Sequence, residues 1–367
     1  MKSNYEALGK HIRLVDYRNS EQVSNNVLGI SIDKEFMPSV ANVIGTDLSR
    51  YKLISNGLFA CNPMHVGRDE RLPIALYENE EPSIVSPAYF MFEIVDRTIL
   101  NEEYLMMWFR RPEFDRECWF MTDGSVRGGI SWDDLCRIQL PVPPYERQLD
   151  VVESYRAITR RIAMKKEIND NLEAAAYAIH RNLFVDGTNM SELPEGWSMS
   201  TLGDIADLSA GGDRPAVYSD YPTAECRIPI FSNGIDREGL YGYTDKAKIT
   251  KESVTVSARG TVGYVFLREE PYVPIVRLIS VIPSKNYITA KYLYFALSRI
   301  DLQSTGTSQQ QITVPNFKNR QILVPSCSAM DDFMAKVDPI FASIRQNKAE
   351  IKTLIILRDN FLITLSR

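Results

Sequence analysis

Histidine is scarce in this 367-residue chain: His11, His65 and His180 stand far apart, which argues against a histidine-rich metal centre. The five cysteines, Cys61, Cys118, Cys136, Cys226 and Cys327, are odd in number and scattered, with no C-x-x-C spacing. They supply neither a disulfide framework nor a zinc site. No stretch reaches the ~18 uninterrupted apolar residues of a membrane span, and the opening MKSNYEALGKHI lacks the apolar run of a signal peptide. A Walker A motif is missing, as is any glycine-rich loop placed after a strand to hold a nucleotide. The nearest glycine pair, Arg259-Gly260-Thr261-Val262-Gly263, reads as a hairpin turn. These absences lead to the expectation of a cytoplasmic protein with no metal and no membrane partner.

What is present suits a folded chain. At 44% hydrophobic and 24% charged residues, whole-chain disorder is excluded and there is room for two domains. The net charge is −5, unevenly spread: residues 1–143 carry 15 basic and 21 acidic side chains, whereas 187–327 carry 14 of each. Non-specific coating of nucleic acid rests on phosphate neutralisation, so this balance disfavours it. A DNA reader of this composition needs its Lys and Arg gathered on one face.

The chain repeats itself. GSVRGGISWDDLCRIQLPVP (124–143) aligns without a gap to GTSQQQITVPNFKNRQILVP (306–325) at an offset of 182. Upstream, NEEYLMMWFRRPEF (101–114) matches TAKYLYFALSRIDL (289–302) at 188, and Leu8-Gly9 answers Leu202-Gly203 at 194. A steadily falling offset is the mark of two diverged copies. Each copy begins with a globular part of short β-rich runs, such as Ser253–Ser257 and Tyr272–Val276, and a short helix, Glu102–Arg110 or Ala290–Arg299. A proline-marked stop follows, and then a helix-forming stretch, Tyr145–Phe184 or Ser328–Leu365.

Those long stretches carry heptad seams. In the second, Phe333, Val337, Ile340, Ile344, Asn347, Ile351, Leu354, Arg358, Phe361 and Leu365 alternate steps of four and three. The first repeats the pattern with Ile158, Ile162, Lys165, Asn169, Leu172, Ala176, Ile179 and Leu183. Such narrow seams suit a mutual antiparallel pair better than the core of one head, and the polar members fix register. Pro339 predicts a break or restart near Asp338, which would serve as N-cap. Even 30 continuous residues would make a spacer of roughly 45 Å. The fold class expected is α+β: two similar globular heads separated by two long helices packed as an antiparallel coiled coil, with internal pseudo-two-fold symmetry.

Leu193-Pro194-Glu195-Gly196-Trp197, followed by Leu202-Gly203-Asp204-Ile205, resembles the opening of a target-recognition domain in the specificity (S) subunits of type I restriction-modification systems. The close of that domain is similar too: Gly306-Thr307, Ile312, then Val324-Pro325 before a long helix. In the first copy Gly124-Ser125-Val126-Arg127, Leu140-Pro141-Val142-Pro143 and Glu146-Arg147-Gln148 resemble the same elements, although Asn4-Tyr5 stands where the Gly-Trp pair is expected. The resemblance covers essentially the whole chain. It implies target-recognition domain 1 at residues 1–143, a central spacer helix at 144–186, target-recognition domain 2 at 187–327 and a C-terminal spacer helix at 328–367. It further implies that the two domains read the halves of a bipartite double-stranded DNA target. The helices then act as ruler and dock two methyltransferase (M) subunits, which use S-adenosylmethionine. Restriction/translocase (R) subunits, which use ATP and Mg, complete the enzyme.

The residues themselves show no catalytic apparatus. Amino-methyltransferases resemble one another in an Asn/Asp/Ser-Pro-Pro-aromatic tetrad, and the nearest match, Val142-Pro143-Pro144-Tyr145, has valine in place of the hydrogen-bond acceptor. It reads better as a helix entry. Glu350-Ile351-Lys352 has nuclease-like lettering but falls on the seam helix. The expectation is a non-catalytic subunit that binds no cofactor.

Base reading in the major groove uses Arg or Lys for guanine and Asn or Gln for adenine. Loops rich in these residues, with glycine for close approach, supply the candidates. In the second copy they are Arg214, Asn233, Arg237, Tyr241, Arg259, Gln309, Gln310 and Gln311; in the first, Arg68, Arg71, Ser125 and Arg127. Ser308–Gln311 aligns with Val126–Gly129, which singles out that loop pair. For each candidate the competing reading is a solvated loop residue. Two other functions stay open: the specificity subunit of a type IIB-like system, and a coiled-coil scaffold that binds only protein, for which the acidic first head is the best support.

Overall fold

A computed structural model of the protein describes residues 5–40, 45–122, 128–186, 188–189, 191–299 and 311–365. They form two compact units, residues 1–166 with 348–367, and residues 167–347.

Unit 1 holds two four-stranded sheets. One runs in the order Ile12–Leu14, Phe90–Ile94, Phe59–Cys61, Ile74–Leu76 and is antiparallel throughout. The other runs Phe36–Pro38, Val27–Ile30, Ser83–Val85, Lys52–Ile54, with its two central strands parallel. A ribbon of Tyr5–Ala7 with Gln139–Pro141 joins the beginning of the head to its end. The helix Glu102–Phe109 starts where the Asn101 side chain accepts from the backbone N–H of Glu103 and Tyr104, two donors that a helix start leaves without partners. Its Phe109 meets Phe59 edge-on at 5.9 Å, and Phe59 stacks on Phe92 at 5.0 Å. A buried Lys34–Asp115 pair at 2.6 Å is satisfied through Leu72, whose carbonyl accepts from Lys34 and whose N–H donates to Asp115.

Unit 2 is built on the same plan. Its antiparallel sheet runs Ala206–Ala210, Ile279–Pro283, Ser253–Val256, Val265–Arg268. A second sheet, Leu240–Thr244, Ile228–Phe231, Val273–Pro274, again contains one parallel pair. Ser198–Thr201 pairs with Gln321–Val324 as the closing ribbon. The 182 offset is visible in individual contacts. Leu8 N–H donates to Ile138 O and Leu202 N–H to Arg320 O, both at 2.8 Å. A Cβ on Gly9 would lie 2.7 Å from Cys136 Cβ, and one on Gly203 3.1 Å from Lys318 Cβ, so both Leu-Gly turns need the same close approach. Glycine is the residue that permits it.

The long helices are Tyr145–Phe184 and Cys327–Thr364. Every residue of both seams is buried or half-buried. Within unit 1, Val152 and Tyr155 share a core with Leu362, while Lys165 pairs with Glu350 at 2.9 Å. Within unit 2, Asn169 Oδ1 accepts from Asn347 Nδ2 at 2.8 Å, and Ala176 shares a core with Val337 and Ile344. In each unit the helices are therefore antiparallel. The alternative of a head core is also partly realised, because Phe184, Phe333 and Phe341 belong to the same cluster as Leu293 and Val254 of the unit 2 head.

Three expectations need correction. The helix runs unbroken through Pro339, and Asp338 faces Lys291 Nζ at 3.3 Å instead of capping a restart. Proline removes one hydrogen bond, but Val337, Phe341 and Ile344 on either side are buried and hold the helix in place. The strand expected over Ser253–Ser257 ends at Val256, and the one expected over Tyr272–Val276 covers only Val273–Pro274. There the backbone turns: Val276 and Arg277 take φ of 51° and 65°. Among the described residues, no helix is long and apolar enough to cross a membrane.

Candidate nucleic-acid interface

Five loop segments of unit 2 are stitched together at one end of its sheets. Asn233 lies at their centre: its Nδ2 donates to Val276 O at 2.6 Å and its Oδ1 accepts from Ala258 N–H at 2.8 Å. Val276 and Arg277 N–H donate to Gly212 O at 2.8 Å and Gly211 O at 3.1 Å. Ile312 N–H donates to Ala258 O at 3.0 Å. These bonds bring the neighbourhoods of Arg214, Asn233, Arg259 and Gln311 together. Arg214, Arg259 and Gln311 are exposed, whereas Asn233 is half-buried and its amide binds backbone. It ties the loops together.

The turn carrying Arg237 is held from below. Arg237 and Glu238 have φ of 49° and 56°. Arg268, buried over the Phe231 ring at 3.6 Å, donates to Glu238 O at 2.6 Å and pairs with the Glu238 carboxylate at 3.3 Å. Burial draws the Arg268 guanidinium down to about 10, against the opposing pull of Glu238. Beside the turn, Tyr241 lies 5.7 Å from the Tyr218 ring, and Arg214 sits 4.6 Å over the other aromatic partner, Tyr218. The Tyr218 hydroxyl donates to Asp220, whose carboxylate raises the phenol's pKa. Among the described residues, Arg237, Arg259 and Arg277 have no acidic partner. The Arg259–Gly263 loop is the expected hairpin connection, with Gly263 N–H bonded to Ser257 O at 2.9 Å.

Unit 1 repeats the stitch with different electrostatics. Ile130 N–H donates to Pro63 O at 3.2 Å, the counterpart of Ile312 to Ala258, and Gly67 N–H donates to Gly128 O at 2.9 Å. Arg68, on the short helix Val66–Asp69, stands next to the Gly67–Gly128 bond; the residue that occupies the place of Arg259 after Pro63 is Met64. The Arg68 guanidinium forks onto Asp69 at 2.7 and 2.9 Å, and that carboxylate raises its pKa. Arg71 reaches Asp33 at 3.3 Å. Exposed pairs of this kind are weak because water screens them, so a phosphate or base can exchange for the acid. Ser125, Arg127, Gln309 and Gln310 lie outside the described residues.

Sequence reasoning missed Arg277, Tyr218 and Arg268. The cation–aromatic pair had a weak signal in the spacing of Arg214 and Tyr218; the other two roles depend on backbone conformation and burial, which no motif announces. The tetrad-like Val142–Tyr145 is a helix entry, at which buried Gln148 donates to Ile99 O and Pro143 O and accepts from Asn101 N–H. Glu350 pairs with Arg161 and Lys165 on the helix surface. Among the described residues, no group of three or more His, Cys, Asp or Glu is placed to hold a metal ion.

A family model described as the type I restriction modification DNA specificity domain matches residues 194–353. A putative type I specificity subunit of Mycoplasma pneumoniae is 32% identical over 183 residues, 50% of this chain and 53% of its own length. The chain thus spans about half the length of that relative. The C-terminal part of another Mycoplasma pneumoniae putative type I specificity subunit is 36% identical over 100 residues, 27% of this chain and 68% of that protein. The crystal structure of a type I restriction-modification S subunit from M. genitalium superimposes with a TM-score of 0.55 at 14% identity, covering 98% of this chain and 95% of that one. At that identity the likeness concerns the fold.

Proposed function

Because the chain belongs to the family of type I restriction-modification specificity subunits, we propose that it reads a bipartite double-stranded DNA target and directs partner subunits to it. In this reading each unit reads one half of the target. The partners are two methyltransferase subunits, which carry S-adenosylmethionine, and restriction/translocase subunits, which carry ATP and Mg. The chain contributes recognition and docking, and the chemistry belongs to the partners.

The observation that supports this best is the duplicated stitch. Ile130 to Pro63 and Ile312 to Ala258 are the same hydrogen bond in two copies of one fold; Arg259 directly follows Ala258, and in the first copy Arg68 follows Gly67, which bonds to Gly128 two residues before Ile130. A split target calls for two such readers in one chain. The side chains at the two places differ, Arg68 with Asp69 in one and Arg259 with Gln311 in the other, as two different half-sites require.

The test is a methylation map of cells with and without the gene, expressed with its methyltransferase partner. A split motif should appear only with the gene. Changing Arg259 and Gln311 together to Ala should relax bases in one half, by ~1–3 kcal/mol of discrimination per lost bidentate contact. Arg68→Ala should relax only the other half. A change that blurs both halves, or no gene-dependent motif at all, refutes the reading. A protein-binding scaffold would show no sequence preference in a salt-dependent DNA titration of the assembled complex.

A further inference from the structure

The loop between Val273–Pro274 and Ile279–Pro283 places two consecutive non-glycine residues, Val276 and Arg277, in the left-handed region, with φ of 51° and 65°. Left-handed backbone is rare for a β-branched residue such as valine. A loop that only had to turn would carry Gly or Asn there. Such strain persists where the surroundings over-determine it, and it concentrates at sites that need a fixed direction. The surroundings here do so. Gly212 O and Gly211 O accept from Val276 and Arg277 N–H, Leu278 N–H donates to Ile275 O at 3.0 Å, and the Asn233 amide grips Val276 O at 2.6 Å. Gly211 is needed for this contact, because a Cβ would lie 2.7 Å from Ile275 N.

This clamp presents an exposed arginine beside a valine that is 53% exposed. Among the described residues the Arg277 guanidinium has no acidic partner. We infer that Arg277 reads a guanine in the half-site of unit 2, with Asn233 as the residue that positions it; this rests on the function proposed above. A planar guanidinium matches guanine O6 and N7 with two parallel hydrogen bonds, and that match needs a fixed approach direction. A phosphate contact tolerates a loose stem, so strain would serve no purpose there.

The experiment compares the full chain, co-expressed with its methyltransferase partner, as wild type, Arg277→Ala, Arg277→Lys, Val276→Gly and Asn233→Asp. Methylation maps should show one guanine of one half relaxed roughly tenfold or more in both Arg277 variants. Asn233→Asp removes the donor to Val276 O and should relax the same guanine. Val276→Gly relieves the strain, so thermal stability should hold or rise while that guanine still relaxes, an outcome that a merely structural loop would not give. The salt slope of DNA binding should stay unchanged. A slope lowered by about one with an unchanged motif would reassign Arg277 to a phosphate and overturn the inference. So would a relaxed base other than guanine, or intact maps in both Arg277 variants. A wild-type chain that produces no split motif overturns the proposed function as well, whereas a wild-type motif left intact by all four variants overturns this inference alone.

Discussion

His180 is 2% exposed, and neither ring nitrogen has a hydrogen-bond partner among the described residues. The rings of Phe184, Tyr292, Phe295 and Phe333 surround it, at 5.3, 5.5, 5.7 and 5.9 Å. Burial, aided by the charge of Arg299, lowers its pKa to about 4. The unfolded chain takes up the proton near the ordinary value of ~6.5, so its protonation favours unfolding as pH falls from there toward 4. The full loss is about 3 kcal/mol. Above pH 6.5 the neutral ring contributes nothing to pH dependence. We predict that His180→Leu removes this acid sensitivity and stabilises unit 2 by about 1 kcal/mol at neutral pH, since no unsatisfied polar group is then buried. Urea unfolding at pH 7.5 and pH 4.5 checks it: the gap between variant and wild type should widen on acidification, and a constant gap would refute the argument. At this scale sequence is a poor guide. Asn233 has the letter of an adenine reader, yet its amide binds backbone, and Val276-Arg277 gives no hint of left-handed geometry.

Secondary-structure elements were legible in proportion to their periodicity. The seams are legible because a seven-residue repeat is sustained over eight positions in one helix and ten in the other, and of their polar members Asn169 and Asn347 bond to each other while Lys165 turns to Glu350 beside the seam. Head strands of two to five residues carry no such period, so the runs Ser253–Ser257 and Tyr272–Val276 only approximate the strands Ser253–Val256 and Val273–Pro274. The local rule that proline ends a helix fails at Pro339 because it leaves out the packing on either side. The proline is exposed, and its missing N–H leaves the Ala335 carbonyl without its helical donor. Pro339→Ala should therefore stabilise unit 2 by about 1–3 kcal/mol without moving the helix. Thermal unfolding measures this. A lowered melting temperature would mean that the proline shapes a bend on which the packing of Val337 and Phe341 depends.

Across the whole chain, the two units differ in how they are closed. All members of the unit 2 cores fall within residues 172–344, one continuous stretch. Unit 1 is discontinuous: buried Leu362, with Phe361 and Leu365 packed alongside, completes a core otherwise made from residues 5–155. A buried leucine contributes roughly 1.5–3 kcal/mol, and a domain's entire stability is about 5–15 kcal/mol. Removing residues 348–367 would strip these side chains from the core that includes Val152 and Tyr155 and leave the charges of Arg161 and Lys165 without Glu350. We predict that the fragment 167–347 unfolds cooperatively by itself, whereas 1–166 is unfolded or aggregates. Lys165 and Glu350 are 2.9 Å apart, so a short flexible linker from Lys166 to Lys348 should form a helical hairpin and restore unit 1. Circular dichroism melting of the three fragments decides the matter. Equal stability of 1–166 with and without the linked segment, or failure of 167–347 to fold, would show that the two units are not the folding units of this chain.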